Sequence, residues 1–164
     1  MSATTPYVAV CGPGVASEEE DAAAEEIGRI LGHAGAVVVC GGRGGVMDAA
    51  ARGARSGGGI SVGLLPDDHR AGAGEHLTVS LPTGMGETRN ALVARAADVL
   101  VAVGGEFGTL SEIAFALKLG TPVVGLRTWE LAKDGTPSDE IVRVDTPEEA
   151  ARRALELARA TPSR

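Results

Sequence analysis

The sequence has 164 residues, 44% of them hydrophobic, and a formal net charge of -7 at pH 7. This size predicts one domain over residues 1–164 with a single core, frayed at 1–5 and 160–164. The acidic balance argues against nucleic acid and anionic membranes as partners, whereas backbone amides can still bind small anions. Without a basic leader or an apolar run of roughly 20 residues, we expect a cytoplasmic protein.

Short apolar runs alternate with longer helical patterns, which predicts βαβ units and a parallel sheet. Strands are predicted at 7–11, 36–40, 60–65, 77–81, 99–103, 122–126 and, as a short edge strand, 141–144. Helices are predicted at 17–34, 46–56, 88–97, 109–119 and 146–158. The fold class is therefore α/β: one Rossmann-like, doubly wound domain with a mainly parallel sheet of about six or seven strands and helices on both faces.

Three strand-to-helix turns are rich in glycine, and all lie beyond the carboxyl ends of strands, where such sheets bind ligands. The candidate ligand-binding glycines are Gly12, Gly14, Gly41, Gly42, Gly44, Gly104, Gly105 and Gly108. Glycine lets the backbone approach a ligand, and a helix start adds free amides, so the last turn with Thr109 is suited to a phosphate. The alternative is that the turns serve packing alone. No turn completes the dinucleotide or P-loop signature.

Glu112 has two possible roles. Thr109 with Glu112 matches the capping box, a serine or threonine followed three residues later by a glutamate, as does Ser17 with Glu20 at the first helix. At the first turn of a helix over a cleft, the Glu112 carboxylate is alternatively suited to orient a ribose hydroxyl or to act as a base. The local sequence leaves both roles open.

The remaining reactive side chains are less informative. Arg89 lies on the ligand side of the sheet, where it either pairs with a phosphate or carboxylate or is simply solvated. Ser111 has no histidine partner, which favours a capping or exposed role. Cys11 and Cys40 are predicted to be buried thiols, and the spacing of the three histidines suggests no metal site. No lysine is placed for Schiff-base chemistry.

Three segments, in order, resemble the LONELY GUY-like family, whose members were often labelled lysine decarboxylases, and its branch of molybdenum cofactor carrier proteins. These segments are 40–47 (CGGRGGVM), 83–90 (TGMGETRN) and 104–126, which begins GGEFGTLSE. The resemblance spans roughly residues 8–126. It adds Met85, in the segment with the arginine, to the ligand-binding candidates.

In hydrolytic members of that family, an arginine and a glutamate act in splitting a nucleoside 5′-monophosphate into free base and ribose 5-phosphate. The resemblance places these catalytic roles on Arg89 and Glu112, with phosphate bound around Gly105, Gly108 and Thr109. Lysine decarboxylation is not expected.

Three positions depart from the hydrolase pattern. Gly104 replaces a proline, Glu106 replaces a glycine and Asn90 replaces a lysine. A Glu106 carboxylate aimed into the pocket would repel a phosphate, whereas one that points to solvent would not. Gly104 and Asn90 look more like the carrier branch.

Two functional hypotheses follow. The first is a protein that binds a nucleotide or phosphoribosyl-type ligand, with N-glycosidic hydrolysis as its reaction if it is an enzyme. The alternative is a non-catalytic carrier or sensor of a phosphate-bearing cofactor such as molybdenum cofactor. Neither hypothesis requires a further cofactor, and the expected partner is a small phosphate-bearing molecule. The resemblance also implies a homo-oligomer, a dimer or tetramer, associated through helices beside the site.

Overall fold

The structure, a computed structural model, describes residues 4–160, so most of the segments expected to fray lie outside the described residues. Its main sheet has seven strands: β1 (Tyr7–Cys11), β2 (Val37–Cys40), β3 (Ile60–Leu65), β4 (Val79–Pro82), β5 (Val99–Val103), β6 (Val123–Leu126) and β9 (Ile141–Val144), the labels β7 and β8 belonging to a separate hairpin. Their order in the sheet is β4-β3-β2-β1-β5-β6-β9. Every neighbouring pair is parallel. The predicted Rossmann-like α/β fold is confirmed.

Five α-helices pack on the main sheet, four of them between its strands and the fifth after β9. They are α1 (Glu18–His33), α2 (Val46–Ser56), α3 (Asn90–Arg95), α4 (Phe107–Leu119) and α5 (Pro147–Ala160), and a 3-10 helix (Gly86–Arg89) runs into α3. One buried cluster joins α1, α2 and α5 to one face of the sheet, and a second joins α3 and α4 to the other. In β5 all five residues are buried, because its side chains enter the two clusters alternately.

The order of the strands places a crevice at the carboxyl edge of the sheet. From β1 the chain moves outward through β2 and β3 to β4, then returns to β5 on the other side of β1. The connections that leave β1 and β5 therefore diverge. In doubly wound sheets this switch point is where ligands bind.

Several predicted boundaries differ from the structure. Helix α4 begins at Phe107 rather than at residue 109, because Glu106 is extended (φ -106°, ψ -168°) and the chain turns helical directly after it. The predicted helix at 88–97 starts as the 3-10 helix and ends at Arg95.

The loop expected at 127–139 contains a small antiparallel hairpin, β7 (Ala132–Lys133) with β8 (Thr136–Pro137). Asp134 and Gly135 both have positive φ, 50° and 74°, as a tight hairpin turn requires. The Asp-Gly pair is a sequence signal for such a turn, although no strand was predicted between residues 127 and 139.

Both cysteines are free and buried, which confirms the interpretation of Cys11 and Cys40 as buried thiols. Among residues 4–160, no helix is long and apolar enough to cross a membrane.

Candidate functional site

A cleft of about 210 Å³ opens at the switch point of the sheet. Four segments line it: the β1 turn (Gly12, Pro13, Gly14), the start of the β2–α2 connection and α2 (Arg43, Met47), the 3-10 helix with α3 (Glu87, Arg89, Asn90), and the β5 turn with α4 (Glu106, Gly108, Thr109, Glu112). The structure thus brings together Gly12, Gly14, Arg89, Gly108, Thr109 and Glu112 of the predicted site. The other predicted site residues lie behind or beside the cleft.

The Arg89 side chain packs against Gly41, in the glycine-rich turn after β2. Its side chain is 7% exposed, so the solvated alternative for this arginine is wrong. A Cβ built on Gly41 would overlap Arg89 Nη1 and approach Met47 Sδ to 2.8 Å. Gly41 does not line the cleft; its missing side chain makes room for the guanidinium.

The guanidinium of Arg89 is incompletely paired. Its Nη1 donates to Asn90 Oδ1 at 2.9 Å and lies 3.9 Å from Glu112 Oε1. Arg89 Nε is buried and has no hydrogen-bond partner within residues 4–160. A buried unpaired donor of a charged group costs free energy unless a ligand or ion satisfies it. Arg89 is therefore poised to take an anionic group.

Asn90 links this arginine to the first turn of α4. Its Nδ2 donates to Ser111 Oγ at 2.8 Å, and Ser111 Oγ donates to the Gly108 carbonyl at 2.7 Å. Ser111 is half-buried, and its hydroxyl links Asn90 to the backbone of the first turn of α4. The position occupied by lysine in the hydrolase pattern is thus a neutral spacer between Arg89 and α4.

Glu112 is not a helix cap. The N-cap residue of α4 is Glu106, no side chain caps that helix, and Glu112 lies beyond the first turn with its side chain 7% exposed. Burial raises the pKa of Glu112 from 4.5 to about 7, against the attraction of Arg89 and a hydrogen bond from the Cys11 thiol. A carboxyl group with a pKa near neutrality can both accept and release a proton in physiological conditions.

The Cys11 thiol under Glu112 is a weak acid. Burial and then the neighbouring Glu112 raise its pKa well above 9.0. Cys11 therefore donates its hydrogen to the carboxylate and stays a thiol.

The N-terminus of α4 faces the cleft with little obstruction. A Cβ on Gly108 would meet no atom within 4 Å, so the backbone of the first turn is open to a ligand. Thr109 is buried and its side chain packs on Gly105, which has φ +135°. Free amides and the helix dipole favour an anion at this point.

Glu106 lies at the mouth of the cleft. It is exposed, and its carbonyl accepts a hydrogen bond from Trp129 Nε1 at 3.1 Å. The Trp129 ring in turn lies 5.6 Å from that of Phe107. Because water screens an exposed carboxylate, Glu106 opposes an anion less than a buried one would.

Gly104 lies outside the cleft, beside α1. It has φ +57°, and a Cβ there would overlap Glu20 Oε1, the carboxylate that closes the capping box of α1. A proline needs φ near -65°, so the proline of the hydrolase pattern does not fit this turn.

Three other predicted ligand-binding residues also lie away from the cleft. A Cβ on Gly42 (φ +78°) would overlap Leu65, and a Cβ on Gly44 would lie 3.4 Å from the Gly14 carbonyl oxygen. Met85 is 45% exposed just before the 3-10 helix. For Gly42 and Gly44 the packing alternative describes the observed contacts.

Sequence reasoning did not assign Arg43, Met47, Pro13 or Glu87 to the site. Arg43 is a charged residue within a glycine-rich turn on the ligand side of the sheet, and that position was a usable signal. Met47 and Glu87 carry no such signal, because only the packing of α2 and the 3-10 helix brings them to the cleft.

The fold and this cleft define a Rossmann-like protein with a candidate ligand site at the switch point of its sheet. Residues 5–151 match the model of the SLOG cluster4 family, and the chain belongs to that family. An uncharacterized protein of Archaeoglobus fulgidus is 39% identical over 120 residues, which are 73% of this chain and 79% of that protein.

Two solved structures are similar over nearly the whole chain. The molybdenum cofactor binding protein of the phototrophic bacterium Rippkaea orientalis has a TM-score of 0.84 and 28% identity, covering 95% of this chain and 99% of that one. The Moco carrier protein of Chlamydomonas reinhardtii has a TM-score of 0.82 and 31% identity, covering 94% and 98%. The predicted LONELY GUY-like relationship, on the carrier branch, is confirmed.

Proposed function

We propose that this protein is a carrier that holds a small phosphate-bearing cofactor, such as molybdenum cofactor, in the cleft at the switch point. The observation that carries the proposal is Arg89, a buried cation beside the open first turn of α4, whose Nε has no partner among the described residues. A phosphate placed between them would satisfy both the guanidinium and the helix amides. The relatives of known structure that bind or carry molybdenum cofactor support this choice of ligand.

The charge of Glu112 suits the same ligand. With a pKa of about 7, this carboxyl is about half protonated at neutral pH and largely protonated below it, and the protonated form does not repel a phosphate. Binding of an anion beside it would favour the protonated form further.

The direct experiment is mass spectrometry of ligand that copurifies under native conditions. We expect a pterin-type ligand with the wild type and its loss in Arg89→Gln. Arg95→Gln, an exposed arginine in α3, is the matched control and should keep the ligand. An empty cleft, together with no rise in melting temperature on adding molybdenum cofactor, would contradict the carrier proposal.

A second candidate function is hydrolysis of a nucleoside 5′-monophosphate. Its support is the buried Glu112, with a pKa of about 7, placed 3.9 Å from Arg89. In this reaction Glu112 would take a proton from water as the water attacks the anomeric carbon, and Arg89 would hold the phosphate. The departures at Gly104, Glu106 and Asn90 favour the carrier.

Assays of base release from AMP and related monophosphates separate the two candidates. Hydrolysis predicts base release that is lost in Glu112→Gln while phosphate binding remains. No release with any monophosphate would end the enzymatic proposal and leave the carrier proposal standing.

Association into a dimer or tetramer and a cytoplasmic location complete the proposal. Phe115 of α4 is 38% exposed, so apolar surface remains on the helix that lines the cleft. Burial of such surface favours self-association. Light scattering in solution tests the assembly, and a monomer at working concentration would refute it.

A further inference from the structure

The second arginine of the cleft, Arg43, has a partner outside it. Arg43 comes from the β2 turn and lines the cleft, with its side chain 42% exposed. Its Nη2 lies 2.5 Å from Asp67 Oδ2, and Asp67 is not among the residues that line the cleft. The Arg43 guanidinium thus borders the cleft, while the Asp67 carboxylate outside the cleft neutralises its charge.

The loop that carries Asp67 is fixed to its surroundings by main-chain hydrogen bonds. The Asp67 carbonyl accepts from Gly84 N at 2.9 Å, and Gly74 N donates to the Gly42 carbonyl at 2.9 Å. The loop also folds over the arginine, since a Cβ on Gly72 would lie 3.6 Å from Arg43 Nη1. With the backbone on the Asp67 side anchored, the long side chain of Arg43 is the member of the pair that can turn toward the cleft.

The wall of the cleft has more carboxylates than arginines, so a bound anion would depend on the charge of Arg43. The wall residues include the carboxylates Glu87, Glu106 and Glu112 but only the arginines Arg43 and Arg89. Arg89 is confined by its hydrogen bond to Asn90 and by its contact with Gly41. A guanidinium fork binds a phosphate with the same geometry as a carboxylate, so a phosphate and Asp67 are interchangeable partners for Arg43.

We infer that Arg43 is a ligand-binding residue held in reserve by Asp67, and that an anionic ligand binds by taking the Arg43 guanidinium from that carboxylate. The inference rests on the proposed binding of a phosphate-bearing ligand in this cleft. It assigns Asp67 an inhibitory role, so removing its charge should strengthen binding. A gain of affinity is not expected from damage to the fold.

The test is a titration of the intact protein with inorganic phosphate, followed by phosphorus NMR. Exposed ion pairs stabilise by about 0.2 to 1 kcal/mol, so Asp67→Asn should bind phosphate up to about five-fold more tightly than the wild type. The matched control is Asp21→Asn, because Asp21 pairs with Arg52 at 2.6 Å, with similar exposure, away from the cleft. That variant should bind as the wild type does.

A double-mutant cycle separates the release of Arg43 from the general effect of losing a negative charge. Arg43→Gln should weaken phosphate binding, and adding Asp67→Asn to it should bring no gain. An equal gain with and without Arg43, or no gain in Asp67→Asn when the wild type binds, overturns the inference alone. If neither the wild type nor Asp67→Asn binds phosphate, both the inference and the proposed function are overturned. Binding that appears only in Asp67→Asn supports the inference.

Discussion

Glu20 and Glu112 each follow a serine or threonine by three residues near the start of a helix, yet they have different surroundings. Glu20 Oε2 accepts the Ser17 amide at 2.9 Å, and Ser17 Oγ accepts the Glu20 amide at 3.2 Å, which completes a capping box. Glu112 is buried at the wall of the cleft, opposite Arg89. The same short pattern stabilises a helix end in one place and supplies an acid to a site in the other.

The difference comes from where each helix begins. Helix α1 begins directly after Ser17, so Glu20 is its third residue and can reach back. Helix α4 begins at Phe107, ahead of Thr109, so Glu112 lies past the first turn on the side that faces the sheet. The end of β5 and the glycine turn set this start, and a pattern of four residues does not contain that information.

The largest expected effect is on the pH dependence of stability. Since the pKa of Glu112 is raised from 4.5 to about 7, the folded protein binds a proton that the unfolded chain has released over this range. The contribution of Glu112 to stability therefore falls as pH rises through this window. Glutamine does not titrate, so Glu112→Gln lacks this loss. From pH 5 to pH 8, the stability of Glu112→Gln relative to the wild type should therefore rise by on the order of 3 kcal/mol in free energy of unfolding.

Urea unfolding at the two pH values measures this difference. Lys118→Gln, an exposed change in the same helix, serves as control and should keep the wild-type pH dependence. If Glu112→Gln kept the pH dependence of the wild type, the Glu112 carboxyl would not be the buried acid that distinguishes it from the capping residue Glu20.

A smaller effect on the free energy of unfolding is expected at Ser17 and Thr109, the hydroxyl residues of the two patterns. Ser17→Ala removes the acceptor of the Glu20 amide and should lower the free energy of unfolding by about 1 kcal/mol, the usual contribution of an N-cap. Thr109→Val removes a hydroxyl that caps no helix and should cost clearly less. Equal losses in thermal or urea unfolding would restore a capping role for Thr109.

The smallest effect is expected at Glu20 itself. Glutamine completes a capping box as glutamate does, so Glu20→Gln should change the free energy of unfolding by no more than about 0.5 kcal/mol. Urea unfolding at pH 7 is sufficient to check it. A much larger loss would indicate that the charge of Glu20, and not its hydrogen bond to Ser17, stabilises α1.

The sequence was most informative where local pattern and tertiary environment agree. The apolar run at 99–103 predicted a strand buried on both faces, and β5 has that environment. Helix α2 occupies the predicted residues 46–56, because glycine clusters mark both of its ends. The placement of the glycine turns at one edge of the sheet followed from the same alternation of strands and helices.

The site was less predictable because its properties arise from contacts distant in sequence. Arg89 is buried only because Gly41, far away in the chain, leaves space for it. Glu112 acquires its raised pKa from burial beside β1 and the 3-10 helix, which no local pattern specifies. Arg43 borders the cleft while paired with Asp67, and that arrangement depends on the fold of the intervening chain.

Gly104 and Glu20 together restrict how the sequence can change. At φ +57°, residue 104 has the wrong backbone angle for proline, and a Cβ there would displace the carboxylate of Glu20. Introducing the proline of the hydrolase pattern therefore requires a different backbone conformation in this turn and a shift of the Glu20 side chain away from its capping position. The turn after β5 and the first helix thus constrain each other's evolution at these two positions.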